Sequence, residues 1–390
     1  MGFKRMAALA VVLSLSAGLL FGCGGAQSTA GTDNKAQASS SSKQPIKLGA
    51  VFILSGPSAA YGIAQKAGVE LAVTEINAGG GINGRPLDVI YEDSKGDKDQ
   101  AINAARKLID KDEVTAIIGP TLSTEMQAVG PIANQSGVPI LGVSTTADGI
   151  TDIGNYVFRN SLPESGVLPT TVQSAIQGFG VKKVALLWAQ DDVISVNGAK
   201  IFKEQLQKQN VQVVAEDSFS VKDQDFNAQI TKALAAKPDG IVLSTLYQSA
   251  ALFMVQARKA GYTGPFIGGN GFNSPKLAEI AKDAAEGAVV GSVWYPGRDD
   301  AKVKKFVADY TAKANMAPDQ FAAQAYDGLY LLAEAMKQGG SNRDKVRDAL
   351  AGIKNFEGVT GKFSFDEKRN PVMQPFILQI KNGQYAEFKH

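Results

Sequence analysis

From Ile46 onward, short apolar runs alternate with stretches whose apolar positions recur every three or four residues. IKLGAVFIL (46–54), LDVIYED (87–93) and TAIIG (115–119) have the length and β-branched content of buried strands. Between them, Val69, Leu71, Ala72, Val73 and Ile76 contain the stripe of a one-faced helix, as do Ala101, Ala104, Ala105, Leu108 and Ile109. This alternation narrows the fold sharply: strands joined through a helix run parallel, and the crossovers are right-handed. VPILGVS (138–144) continues the series, and a second one starts at KVALLWA (183–189) and runs on through VQVVAED (211–217), GIVLSTL (240–246), PFIGG (265–269) and GAVVGSVWY (287–295). Two series of similar length predict two similar α/β lobes. A long helical region over about 300–352 follows, and FILQI-KNGQ-YAEF ends the chain with Asn382-Gly383 placed as a hairpin turn.

Composition bears mainly on what the chain does not do. Of 390 residues, 44% are hydrophobic and 20% charged, enough for a large core, and the net charge of +2 gives no field for nucleic acid or an anionic membrane. There is one cysteine and one histidine, and the histidine, His390, ends the chain. Catalytic triads, Cys/His pairs and His-rich zinc sites are therefore ruled out. Carboxylate, lysine or tyrosine chemistry remains open, but the expectation is a non-enzyme with no cofactor and no metal.

The N-terminus accounts for the cysteine. Lys4 and Arg5 precede the apolar stretch AALAVVLSLSAGLLFG, the layout of a secretory signal peptide over 1–22. It ends in Leu20-Phe21-Gly22-Cys23, similar to a bacterial lipobox, where cleavage precedes a cysteine that receives a diacylglycerol. The apolar run is short for a spanning helix of about 20 residues. Residues 23–44, rich in Ser, Ala, Gly and Gln, read as the lipidated cysteine and a flexible tether. The protein is expected to be exported and held at the extracytoplasmic membrane face by lipid alone.

INAGGGINGRP (76–86) contains G-x-G-x-x-G at Gly79, Gly81 and Gly84. A dinucleotide loop follows a strand and opens a helix. Here the glycines close a helix and lead into a strand, so they are expected to cap the helix. The carboxylate-rich run 93–100 has Lys95 and Ala104 where a calcium loop needs ligands, and reads as a loop with an Asp helix cap. Two hydroxyl clusters are more suggestive. Ser123 and Thr124 in GPTLSTEMQ, and Ser144, Thr145 and Thr146 in VSTTADGIT, follow consecutive strands. In open parallel sheets ligands bind beyond the carboxyl ends of the strands, and hydroxyls with free helix N–H groups suit a carboxylate. Taken singly, a hydroxyl such as Ser123 or Thr146 is more often a plain helix cap; two clusters in consecutive strand–helix turns are what bring a binding role level with that reading.

LSGPSAAYG (54–62), EINAGGGINGRPLDVIYED (75–93), AIIGPTLST (116–124), GVPILGVSTT (137–146), FRNSLPES (158–165) and FEGVTGKFSFD (356–366) together resemble the type I periplasmic-binding-fold proteins, the substrate-binding components of ABC importers. Within them the pattern is similar to the leucine/isoleucine/valine-binding group, over residues 46–390. The resemblance implies two Rossmann-like lobes joined by a three-segment hinge with crossovers near 160–164, 293–298 and 366–371. Lobe I would comprise 45–162 and 297–368, and lobe II 163–296 and 369–390. It implies a monomer that closes on a small ligand and docks on ABC permease subunits.

By resemblance, Ser123, Thr145 and Thr146 form a carboxylate clamp, Tyr61 lines the first-lobe wall, and Tyr247 closes over the ligand. The acidic partner of a ligand ammonium falls at Asn270, a departure from the group, and Asp191 or Asp192 could replace it. Ile194 stands where an aromatic is usual, and Arg369 where a glycine is common. Trp188, Phe272, Trp294 and Tyr295 fall at strand ends, as packing residues or cleft lining. The expected ligand is an apolar amino acid, with an amide or aromatic acid as the alternative. A ligand sensor on the same fold is a rival reading, and a carboxylate hydrolase a remoter one.

Cells fed labelled palmitate should yield a labelled mature protein, beginning at Cys23, in the membrane fraction. Cys23→Ala should abolish the label; an unlabelled wild type would refute the anchor.

Overall fold

The computed structural model describes residues 44–389, so the predicted signal peptide, Cys23, nearly all of the tether and His390 lie outside the described residues. The first sheet is built from β1 (Ile46–Phe52), α1 (Ala59–Ala78), β2 (Leu87–Asp93), α2 (Lys98–Arg106), β3 (Ala116–Ile118), α3 (Ser123–Gln135), β4 (Ile140–Gly142) and β5 (Val157–Arg159). Its five strands run in the order β2-β1-β3-β4-β5, all parallel, with Leu48 opposite both Val89 and Ala116 and Ile140 opposite Val157. Both faces are covered, which is why β1 is a continuous apolar run broken only by Lys47. Leu48, Ala50 and Phe52 pack with Val69 and Ala72 of α1, while Val51 on the opposite face packs with Ala101, Ala105 and Val129.

The second sheet follows from α4 (Glu164–Phe179), β6 (Lys183–Ala189), α5 (Val193–Lys208), β7 (Gln212–Phe219), α6 (Asn227–Ala235), β8 (Gly240–Ser244), α7 (Tyr247–Lys259), β9 (Phe266–Gly268), α8 (Pro275–Ala281) and β10 (Val289–Ser292). The chain then returns to the first lobe as α9 (Ala301–Ala314), α10 (Gln320–Gly339) and α11 (Arg343–Gly352). Leu329, Leu332 and Met336 of α10 share the core of Leu48 and Val69. A small antiparallel sheet of β11 (Phe356–Gly358), β12 (Gly361–Phe365) and β13 (Pro371–Val372) adds Phe363 and Phe365 to that core. Finally β14 (Phe376–Lys381) and β15 (Gln384–Glu387) join the second sheet, whose order is β15-β14-β10-β9-β8-β6-β7.

The architecture is thus two α/β lobes, each around a parallel-dominated sheet, as the alternation predicts. The chain passes between the sheets three times: between Arg159 and Glu164, between Ser292 and Ala301, and between Val372 and Phe376. Asn382 and Gly383 form the β14–β15 turn with φ of 52° and 72°, the paired positive values of a tight hairpin. The helical region expected as one stretch is three helices, interrupted at Asn315 (φ 52°) and Gly340 (φ 63°). The carboxylate-rich run behaves as a capped loop, with Asp97 accepting from the N–H groups of Asp99 and Gln100 at 3.0 Å each.

The glycine-rich loop is a helix terminus, with a shift in which residue does the work. Gly79 keeps a negative φ of −78°; the left-handed residues that follow the helix end are Gly80 (φ 93°) and Gly81 (φ 72°), with Asn83 (φ 54°) and Gly84 (φ 73°) turning the chain into β2. The Gly81 N–H donates to the Ile76 carbonyl at 2.9 Å, and a Cβ on Gly81 would lie 2.1 Å from the Arg85 carbonyl oxygen. A Cβ on Gly80 would meet nothing within 4 Å. Gly80→Ala should therefore cost only the left-handed strain of about 1–2 kcal/mol. Gly81→Ala should cost clearly more, read as a larger drop in the urea midpoint; equal effects would refute the close approach.

Candidate ligand-binding cleft

The loops leaving the carboxyl ends of β1, β3 and β4 meet those leaving β6, β8 and β9, so the polar ends of both sheets face one cleft. At the start of α3, extended Leu122 occupies the cap position and its N–H donates to Glu125 Oε2 at 2.9 Å. Ser123 is the first helical residue, so its hydroxyl is not spent on capping. Instead its Oγ accepts from the Ala147 N–H at 3.1 Å, joining the two hydroxyl clusters that the sequence separates by some 20 positions. The following N–H groups of α3 have no intrahelical acceptor and carry the positive end of the helix dipole.

The 144–147 segment is held from both sides. Arg159 Nη1 donates to the carbonyls of Thr145 (2.9 Å) and Ala147 (2.6 Å). Ser144 Oγ donates to the Thr121 carbonyl and accepts from Gln65 Nε2 at 2.7 Å, while Gln65 Oε1 accepts from Thr121 Oγ1. Thr146 Oγ1 donates to Glu164 Oε1 at 3.2 Å. Thr145 points elsewhere: its Oγ1 is buried without a partner beside Gly142, where an added Cβ would lie 2.1 Å away. The structure therefore brings Ser123, Ser144 and Thr146 into one network and sets the Thr145 hydroxyl apart from it.

Two tyrosines cross the cleft in opposite directions. Tyr61, on α1, donates its hydroxyl to the Gly271 carbonyl at 2.6 Å and accepts from the Tyr247 N–H at 2.9 Å. Tyr247, opening α7, donates to the Pro57 carbonyl at 2.7 Å. The rings meet edge to face with centroids 4.9 Å apart, and Phe321 lies 4.4 Å from Tyr61 on its other side. Burial pushes the Tyr61 phenol well above its ordinary pKa, keeping it a donor.

Asp192 is a third contact between the lobes. Its Oδ1 accepts from Thr124 Oγ1 at 3.0 Å, and its Oδ2 accepts from Ser195 N–H and Oγ, capping α5. Asp191 is bound to Ser220 Oγ and the Val221 N–H. Asn270 directs its side-chain oxygen to Gln320 Nε2 at 2.5 Å, and its N–H to Glu164 Oε1 at 3.2 Å. Glu164, 1% exposed, has its carboxyl pushed up to about 7 by burial, against the opposing pull of those hydrogen bonds.

Between the walls lies a cavity of about 10 Å³, lined in part by Tyr61, Ser123, Ser144, Ile194, Asn270 and Phe321. That holds roughly one water, so anything larger enters only when the lobes part. The strand-end aromatics do not line it. Phe272 is buried in the second lobe, Trp294 is buried at the second crossover edge to face against Phe306 of α9, Tyr295 packs on Phe376, and Trp188 packs in the cluster of Val184 and Phe202. Among the described residues no group of acidic, His or Cys side chains could hold a metal ion.

A sequence pattern described as that of a periplasmic binding protein matches residues 45–384. The chain belongs to the periplasmic binding protein family. It is thus similar in fold to proteins that bind solutes without transforming them. The leucine-, isoleucine-, valine-, threonine- and alanine-binding protein of Pseudomonas aeruginosa is 28% identical over 325 residues, covering 83% of this chain and 86% of that one. The branched-chain amino acid transporter substrate-binding protein LivJ of Streptococcus pneumoniae, solved with isoleucine, is 35% identical over 87% of this chain and 97% of its own, with a TM-score of 0.84. The leucine-binding protein LivK of Thermotoga maritima is 28% identical, covers 88% of this chain and 97% of its own, and gives a TM-score of 0.83.

Sequence reasoning missed several residues of this periplasmic binding protein's cleft: Gln65, Gln320, Phe321 and Glu164. Glu164 lies inside the motif FRNSLPES, where nothing in the spacing marks it as facing the cleft. The tyrosine contacts yield a direct expectation. Tyr61→Phe leaves the Gly271 carbonyl and the Tyr247 N–H unpaired when the lobes close, costing that state about 1–3 kcal/mol. Spin labels placed one per lobe should show a broader, longer distance distribution than in the wild type. An unchanged distribution would remove Tyr61 as a closure contact.

Proposed function

We propose that this periplasmic binding protein is the lipid-anchored, extracytoplasmic solute receptor of an ABC importer, and that it captures a branched-chain or other apolar α-amino acid. The observation that carries the reading is the meeting of Ser123 with the 144–147 segment at the positive end of α3, opposite the crossed tyrosines. Free N–H groups and hydroxyls at one point form a site for a ligand carboxylate. Ser123 offers its hydroxyl to it, Thr146 contributes its backbone N–H while its hydroxyl holds Glu164, Thr145 contributes through its backbone, and Tyr61, Tyr247 and Ile194 enclose the apolar remainder. The amino acids bound by the P. aeruginosa and S. pneumoniae relatives support this ligand class.

Capture works by hinge closure, because one chain supplies both walls and crosses between them three times. The same fact supports a monomer, and the closed form is the species that delivers ligand to the permease subunits. The asparagine at position 270 favours a second reading, an amide or amino-free aromatic carboxylate, since a buried ammonium without a carboxylate partner is costly.

A thermal-shift titration with L-leucine should raise the melting temperature of the wild type by mass action. Ser123→Ala and Thr146→Ala should each remove most of that rise, whereas Thr145→Ala should keep it. Full stabilisation in the first two variants would overturn the clamp.

A further inference from the structure

The acidic groups around the cleft are not equally engaged. Both Asp192 oxygens are occupied, by Thr124 and by Ser195 at the head of α5. Asp191 is bound to the loop at Ser220 and Val221. Asp319 caps α10 through the Ala322 N–H and lines a separate cavity with Trp294 and Tyr385. Glu125 accepts from the Leu122 N–H, and although its Oε1 is also buried without a partner, the groups around it, Ser94, Asp93 and Asp97, all belong to the first lobe. Glu164 differs from all of these in place and in partners. It opens α4 at the first crossover, with its Oε1 held between Thr146 Oγ1 of one lobe and the Asn270 N–H of the other. Its Oε2 is buried and has no hydrogen-bond partner.

A buried carboxylate oxygen without a donor is expensive unless something arrives to fill it. The nearest fixed cation, Arg159, spends its bonds on Thr145 O, Ala147 O and Asn370 Oδ1 and makes none to Glu164. On the other side is Gly269, whose missing Cβ would stand 3.4 Å from Oε2. The position suits the ligand chemistry as well. In an α-amino acid the ammonium sits one carbon from the carboxylate, so its partner must stand next to the group that holds the carboxylate. Ser123 is bonded to Ala147, and the adjacent Thr146 is bonded to Glu164.

Resting on the α-amino-acid reading above, we propose that Glu164 supplies the counter-charge for the ligand's ammonium group, in place of the residue at position 270. Because Oε1 already touches both lobes, an ammonium at Oε2 adds its attraction to the closed form and so couples recognition of the amine to closure. Asn270 then serves as a neutral wall that orients Glu164 through its backbone N–H.

Calorimetric titration of wild type and Glu164→Gln with two probes, L-leucine and 4-methylpentanoate, the same skeleton without the amine, tests this. Gln retains an oxygen for Thr146 and the Asn270 N–H. Loss of the charge should weaken leucine by about a hundredfold or more while 4-methylpentanoate changes little, collapsing the preference for the amine. The side-chain carboxyl 13C signal of Glu164 in the wild type, shifted by leucine and not by 4-methylpentanoate, reads the same contact without a variant. Leucine affinity in Glu164→Gln within about threefold of wild type, or a Glu164 signal indifferent to the amine, would overturn the assignment while leaving the amino-acid reading intact. A wild type that binds 4-methylpentanoate and no α-amino acid would overturn both.

Discussion

The hydroxyl of Tyr61 holds the two halves of this molecule in register. It donates to one backbone group of the second lobe and accepts from another, so a single side chain of α1 fixes both the 269–272 segment and the start of α7. Its own position depends on the Phe321 ring behind it, which belongs to the part of the chain that has returned to the first lobe. Other hydrogen bonds across the cleft run between Tyr247 and Pro57, Thr124 and both Asp192 and the Val193 N–H, Asp148 and both Asn197 and Ser165, Thr146 and Glu164, and Gln320 and Asn270. Hydrogen bonds of this kind contribute about 0.5–1.5 kcal/mol each, net. A ligand that prefers the closed form adds its own contacts to this set and shifts the population toward closure.

Parallel strands make such an arrangement available. Each crossover places a helix N-terminus at the carboxyl edge of its sheet, and the first N–H groups of that helix need partners from outside it. In the first lobe Glu125 satisfies only the cap residue of α3, leaving Ser123 and the groups after it to the cleft. In the second lobe Asp192 caps α5 and also accepts a bond from the opposite wall. One edge is thus left open for an anion while the other is closed on itself, so the two walls are chemically unequal although their folds are alike.

What was legible in the sequence follows from the range of the forces involved. Strands buried on both faces announce themselves as apolar runs, and Asn-Gly fixes a hairpin by backbone sterics alone, so β1 and the β14–β15 turn could be read directly. β13, at two residues, is shorter than any period that could reveal it, and β5 (Val157–Arg159), no shorter than β3, lacks the flanking apolar run that marks β3. The hydroxyl clusters at Ser123 and Thr146 were visible because helix starts and strand ends have local signatures. Thr145 and Thr146 could not be told apart, since which one turns toward Gly142 is settled by packing. Gln65 and Glu164 left no trace, because their partners lie 79 and 106 positions away or arrive across the cleft.

The asparagine at position 270 makes physical sense in its surroundings. Its N–H is bonded to Glu164, and its side-chain oxygen to Gln320, whose own oxygen accepts from Ser292 Oγ and the Val293 N–H. These links form a chain across the cleft floor from the first crossover to the second. A carboxylate at 270 could still accept from Gln320, but it would bring a second buried negative charge beside Glu164. Two such groups sharing one desolvated place do not both stay ionised; one takes up a proton and ceases to act as a counter-charge. An acid at 164 and an amide at 270 avoid that conflict, keeping a single negative charge at the hinge side of the cleft and a neutral strut beside it.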